Sequence, residues 1–176
     1  METSLRFSGD SKSLRIHAKE KYPIESNTHL QVRGELDTKW GTPSFFDATL
    51  RHFFPDISAS LGLAVLYERH GLALQHRKQG KIQYGVRGKK AFPVTANGLL
   101  NFNIKGRGDV DKEFKEWKSK GAAEFSWSIL NFLPEQDVRI KLGYEVVEKA
   151  MYLQIRENNW TFNADMSGRW NIRYDL

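Results

Sequence analysis

The segment DVRIKLGYE, residues 137–145, alternates strictly: Val138, Ile140, Leu142 and Tyr144 fall in one phase, Asp137, Arg139, Lys141 and Glu145 in the other. Successive side chains of a strand point to opposite faces of its sheet, so a period of two puts apolar groups on one face and charge on the opposite one. A helix would mix them.

Working outward from this segment, the same rhythm recurs almost end to end, broken by Gly, Pro, Asn and Asp at intervals suited to antiparallel strands and their turns. Strands are expected at about 13–20, 28–37, 45–53, 57–67, 72–77 and 81–89, then at 99–106, 121–132, 136–145, 150–156, 160–166 and 168–175. The number, about twelve, is even, and the longer segments approach the roughly 9 to 11 residues a tilted strand needs to cross a bilayer. One domain over residues 1–176 accounts for the length. One stretch departs from the rhythm. GDVDKEFKEWKSKG, residues 108–121, is dense in charge and sets Phe114 and Trp117 three apart. That spacing predicts a solvated loop or short amphipathic helix, or else a flap near one mouth of a barrel.

Sorting each strand by phase separates two kinds of surface. One carries Leu14, Ile16, Leu30, Val32, Leu36, Leu61, Leu63, Val65, Ile82, Val86, Phe102, Ile104, Phe125, Trp127, Ile140, Leu142, Leu153, Ile155, Phe162 and Ile172, with no Lys, Arg, Asp or Glu in the strand centres. The other carries Arg15, Lys19, Arg33, Arg51, Arg77, Lys81, Arg87, Lys89, Lys105, Arg139, Lys141, Arg156, Arg169 and Arg173. Seven acids share it: Glu35, Asp47, Glu68, Glu124, Asp137, Glu145 and Asp165. Fourteen cations against seven acids account for essentially all of the chain's net charge of +6. The excess basicity lies on one surface.

Two architectures produce this segregation. In a soluble sandwich or barrel the apolar face is the core and the basic face meets water, where it would bind an anionic ligand or nucleic acid. In a membrane barrel the apolar face meets lipid and the basic face lines a watery lumen. Three features favour the second. About twelve strands in one barrel leave an interior too wide for side chains to fill. An Arg facing mid-bilayer costs roughly 2 to 4 kcal/mol, which explains a face without charge. Aromatics such as Phe53, Phe54, Tyr67, Phe92, Phe132, Trp160 and Tyr174 fall toward strand ends, where girdles form. The low overall hydropathy is neutral, because alternation hides a lipid-facing band from any average. A lumen of this composition attracts anions, with Arg suited to bidentate phosphate or carboxylate contacts and Lys to point-charge attraction. Phosphorylated small molecules are its expected passengers. A nucleotide held by several lumen cations is expected to occlude the path of smaller anions.

Other signals lead elsewhere and are weaker. His17, His29, His52, His70 and His76 lack metal-site spacing and a partnering Cys, so no metal is expected, and neither is a disulfide, since the chain has no Cys. No nucleophile elbow, P-loop or dinucleotide fingerprint appears, so neither an enzyme nor a cofactor is expected. Arg107-Gly108-Asp109 spells an adhesion tripeptide, but a basic strand ending in a Gly-Asp turn explains it more simply. Nucleic acid is not an expected partner, because most aromatics fall opposite the cations, whereas a single-strand binder needs both on one surface. The first twenty-one residues hold no apolar signal core and include Glu2 and Asp10, which predicts a membrane address within the strands.

Three blocks, METSLRFSGDSKSLRIHAKEK at 1–21, DKEFKEWKSKGAAEFSWSILNF at 111–132 and YLQIRENNWTFNADMSGRWNIRYDL at 152–176, resemble the small outer envelope pore proteins of plastids, anion-selective rectifying channels. Lys89-Lys90 and Phe92-Pro93-Val94-Thr95 fit as well, and residues 40–90 match less closely otherwise. The resemblance implies an integral β-barrel of the chloroplast outer envelope, inserted without a cleaved transit peptide. Its implied solutes are triose phosphates, 3-phosphoglycerate and phosphate, with ATP as a regulatory ligand.

Overall fold

The computed structural model describes residues 1–68, 80–133 and 136–176. Twelve antiparallel strands close into one barrel: β1 (Glu2–Ser8), β2 (Ser13–Glu25), β3 (Thr28–Asp37), β4 (Thr42–Phe54), β5 (Ala59–Glu68), β6 (Lys81–Pro93), β7 (Leu100–Asp111), β8 (Trp117–Leu133), β9 (Gln136–Glu145), β10 (Ala150–Glu157), β11 (Trp160–Asp165) and β12 (Trp170–Asp175). Each pairs with its neighbours in sequence, and β1 pairs with β12 to close the ring, with Arg6 opposite Arg173 and Phe7 opposite Ile172. Closure leaves no free edge. Turns at 9–12, 38–41, 112–116, 146–149 and 166–169 gather at one end. The termini and the connections at 26–27, 55–58, 94–99 and 158–159 gather at the other.

The burial pattern decides between the two architectures. Leu63 is 61% exposed and Phe125 51%, whereas Asp47 is 0% and Glu124 1% exposed. Among the described residues the buried apolar side chains are only Ala64, Leu66 and Ala122, while Gln31, Glu35, Thr49 and Asn103 are buried with them. A soluble core would show the reverse. The apolar face is therefore the outside and the charged face the inside, as a bilayer requires.

Three expectations are corrected. Strand β1 was absent from the sequence-based set, although Leu5 and Phe7 alternate with Ser4, Arg6 and Ser8 and pair with Ile16 and Leu14 of β2. The segment 108–121 is neither helix nor flap. β7 runs through Asp111 and β8 starts at Trp117, leaving a hairpin turn whose Phe114, at φ +57°, stacks outside on Tyr84 at 6.0 Å. Arg107 and Asp109 stand within β7, where Asp109 is buried against Arg107, so the Gly-Asp pair forms no turn. The strand expected at 72–77, with Arg77, His70 and His76, lies outside the described residues, as does the side chain of Phe132.

Candidate functional site

The interior is the site, and its geometry follows from the register. Inward residues of neighbouring strands face each other, and the inward phase is so basic that cations meet cations: Arg6 opposite Arg15, Lys19 opposite Arg33, Arg87 opposite Arg107, Lys89 opposite Lys105, and Arg139 opposite Arg156. Directly opposed like charges destabilise a sheet. Two unit charges 4 Å apart repel by about 1 kcal/mol in water and about 4 at an effective dielectric near 20. Repeated pairs of this kind are tolerable where water and counter-anions fill the space between them.

Two buried carboxylates relieve part of the repulsion, and each is reached across an intervening strand. Asp47 of β4 accepts from Arg33 of β3 at 2.6 Å and from Arg87 of β6 at 2.7 Å. Arg87 passes over β5 where the residue opposite it is Gly62, which also lies opposite Arg51 of β4. A Cβ at Gly62 would stand 3.1 Å from the Leu50 carbonyl oxygen and 3.2 Å from the Thr49 methyl group, so the wall is tight at this position. Glu124 of β8 accepts from Lys105 of β7 at 2.5 Å and from the Tyr152 hydroxyl of β10 at 3.0 Å. Tyr152 crosses β9 at Gly143, the residue opposite both Tyr152 and Glu124, and a Cβ on Gly143 would collide with the Tyr152 ring. The glycine at 143 thus lets a polar link skip a strand.

The sequence-singled cations divide by partner. Arg15 binds Glu35 at 2.9 Å, Lys19 binds Glu2 at 2.7 Å, Arg156 and Arg173 share Asp175 at 3.1 and 2.7 Å, and Lys81 binds Glu116 at 2.5 Å at the mouth. Arg51, Lys89 and Lys141 have no carboxylate within bonding distance among the described residues, and Arg139 donates only to Ser128 at 3.2 Å. Their fields overlap with one another and with Lys105. Arg51, Lys89 and Arg139 lie in the halves of β4, β6 and β9 nearer the end that carries the termini. Arg169 is corrected: it stands in the β11–β12 turn at the opposite rim, bound to Asp165 at 2.8 Å and Glu148 at 3.1 Å. Glu148 also takes Lys120 at 2.5 Å, and these two hydrogen bonds hold its carboxyl below the usual glutamate range. Both rim cations therefore stay neutralised at working pH.

Sequence reasoning missed the inward Arg6, Arg107 and Lys120. Arg6 went with the unrecognised β1, Arg107 fell just past the strand expected to end at 106, and Lys120 lay in the segment 108–121, although period-two alternation continues through all three. No cluster of three metal-ligating side chains occurs among the described residues.

The chain matches known proteins along its length. The family model described as chloroplast outer envelope pore protein OEP21 matches residues 3–176. Outer envelope pore protein 21 of Pisum sativum is 60% identical over 177 residues, and outer envelope pore protein 21A of Arabidopsis thaliana 51% identical over 176, each alignment covering all of both chains. The Oryza sativa subsp. indica protein is 45% identical over 192 residues, again complete on both sides. Among solved structures, KdgM porin superposes with a TM-score of 0.59 at 10% identity, over 99% of this chain and 96% of that one. At that identity the likeness shows a shared barrel fold.

Proposed function

This chain belongs to the chloroplast outer envelope pore protein OEP21 family, a pore in the outer envelope and not an enzyme, and from that premise we propose that it is an anion-selective, rectifying channel for phosphorylated metabolites. The solutes are triose phosphates, 3-phosphoglycerate and inorganic phosphate. One observation carries the proposal: the inward cations face one another across adjacent strands, and Arg51, Lys89 and Lys141 have no bonded carboxylate among the described residues. A passing phosphate or carboxylate supplies the missing counter-charge, and the low-dielectric wall focuses the cations' field on the lumen.

Rectification follows from the same division. Arg51, Lys89 and Arg139, free of carboxylate partners among the described residues, lie toward the end with the termini, while Lys81, Lys120 and Arg169 at the opposite mouth are tied to Glu116, Glu148 and Asp165. An anion therefore meets unequal fields from the two sides, and the current differs with the sign of the voltage. A nucleotide carries enough phosphate charge to engage several of Arg51, Lys89, Lys105 and Lys141 together, and ATP thereby modulates the pore by occluding smaller anions.

The deciding measurement is the reversal potential of the purified barrel in a planar bilayer under a salt gradient. A potential on the anion side of zero, with current reduced by ATP at low salt, is the expected result. A potential at zero would remove the lumen cations from selectivity. Current indifferent to ATP from both sides would remove the nucleotide.

A further inference from the structure

The outer face departs from its rule at one place. β6 continues to Pro93, four residues beyond the strand that alternation alone suggests, and this brings Lys90 into the outward phase beside Ile104 of β7. Among the described strand side chains it is the one Lys or Arg on the lipid side. It sits one rung inside Phe92, which heads a row of outward rings: Phe92 to Phe102 at 6.1 Å, then Phe102 to Phe125 at 5.0 Å. Phe92 is the last outward side chain of β6, and outward aromatics at strand ends flank the apolar band at the headgroup level. The Lys90 amine reaches back to 5.0 Å from the Phe92 ring centroid, as a lysine does when it draws its charge toward the interface, and no carboxylate among the described residues binds it.

Beside Lys90 a groove of about 340 Å³ opens on the outer wall, with Ile57, Leu61 and Ile104 along its sides and Gly88 and Gly106 in its floor. The two glycines face each other across β6 and β7 in an unbroken register, so no bulge calls for them. Neither has positive φ. A Cβ on either would meet nothing within 4 Å, so no other described residue needs the space. Glycine weakens a strand interior, and where neither turn nor bulge explains it, it marks the close approach of something else.

We infer that this groove seats an anionic membrane lipid, with an acyl chain along the Gly88–Gly106 floor and the headgroup against Lys90. A bilayer presents both parts at this depth, and the cation chooses the headgroup. A second copy of the chain fits less well, because a two-fold contact on this face would bring Lys90 against its own counterpart. The inference rests on the barrel's place in the membrane and is independent of anion selectivity in the lumen.

Native mass spectrometry of the barrel released from nanodiscs of phosphatidylcholine with a minor share of phosphatidylglycerol tests it. The wild-type barrel is expected to retain one phosphatidylglycerol in preference to phosphatidylcholine. Lys90→Gln should lower that retention about fivefold, the worth of one lysine at an anionic surface. Gly106→Leu fills the groove while keeping Lys90 and should lower it as well. Excess inorganic phosphate, which has the anionic chemistry without the chain, should leave the retained lipid in place. Equal retention by Lys90→Gln, equal retention of the two lipids by the wild type, or displacement by phosphate would overturn the assignment. Paired barrels that become single in Gly106→Leu would give the groove to a second copy. Unchanged conductance and reversal potential in both variants would show the barrel itself to be intact, since neither position faces the lumen.

Discussion

Asp47 shows how much one residue carries in this barrel. Its side chain is wholly buried and holds Arg33 and Arg87 together from strands on either side of β5. Removing one partner of a buried charge cluster leaves the others uncompensated. Asp47→Asn should therefore lower barrel stability by about 3 kcal/mol, at the lower end of the cost of breaking a buried pair, read as a reduced urea midpoint in detergent micelles. An unchanged midpoint would mean that lumen water already screens both guanidinium groups. In the sequence Asp47 was visible only as one acid in the polar phase. Nothing at its position announced a bridge to Arg87, forty residues away, because that contact exists only when β4 and β6 flank β5.

At the scale of the element, β9 separates the two faces within one strand. Leu142 is 47% exposed to the outside, while Arg139 and Lys141 point inward beside Ser128 and Ser126. Reversing both charges, Arg139→Glu with Lys141→Glu, should shift the reversal potential toward cations and leave the fold intact, since Arg156 opposite Arg139 then gains an opposite charge. Unchanged selectivity would take β9 out of the conducting path. Leu142→Arg should impair insertion by roughly 2 to 4 kcal/mol, measured as the folded fraction in lipid vesicles at graded urea. Free tolerance there would place Leu142 away from the middle of the bilayer. Period two was clear along β9 because both phases are pure. It misled at 108–121, where Lys, Glu and Asp crowd both sides of a short turn and the strand signal on either side was absorbed into an apparent loop.

For the whole molecule, the opposed cations imply that the barrel is most stable with anions inside it. Phosphate in place of chloride at matched ionic strength should raise its thermal unfolding temperature, because a multivalent anion bound to the folded lumen and not to the unfolded chain adds stability by mass action. Circular dichroism in micelles checks this. Equal melting in the two salts would argue that water alone suffices between Lys89 and Lys105. Soluble proteins of this size reserve their interiors for apolar groups. Here the largest buried side chains include Glu124, Asp47 and Thr49, and the ring of strands owes its hydrophobic stabilisation to lipid.

The segregation of charge and the near-continuous period of two are properties of residue order, so the sequence by itself determined the all-β class, a strand number of about twelve, and the concentration of cations on one face. Local alternation needs no partner to be read. Which cations remain unpaired was decided only by the tertiary structure, because a carboxylate's partners come from strands far apart in sequence. The same holds for the exchange of Arg169 from wall to rim and for the lipid-facing place of Lys90. Strand ends depend on how far each neighbour extends to supply hydrogen bonds, and closure of β1 on β12 is a contact between the two extremes of the chain.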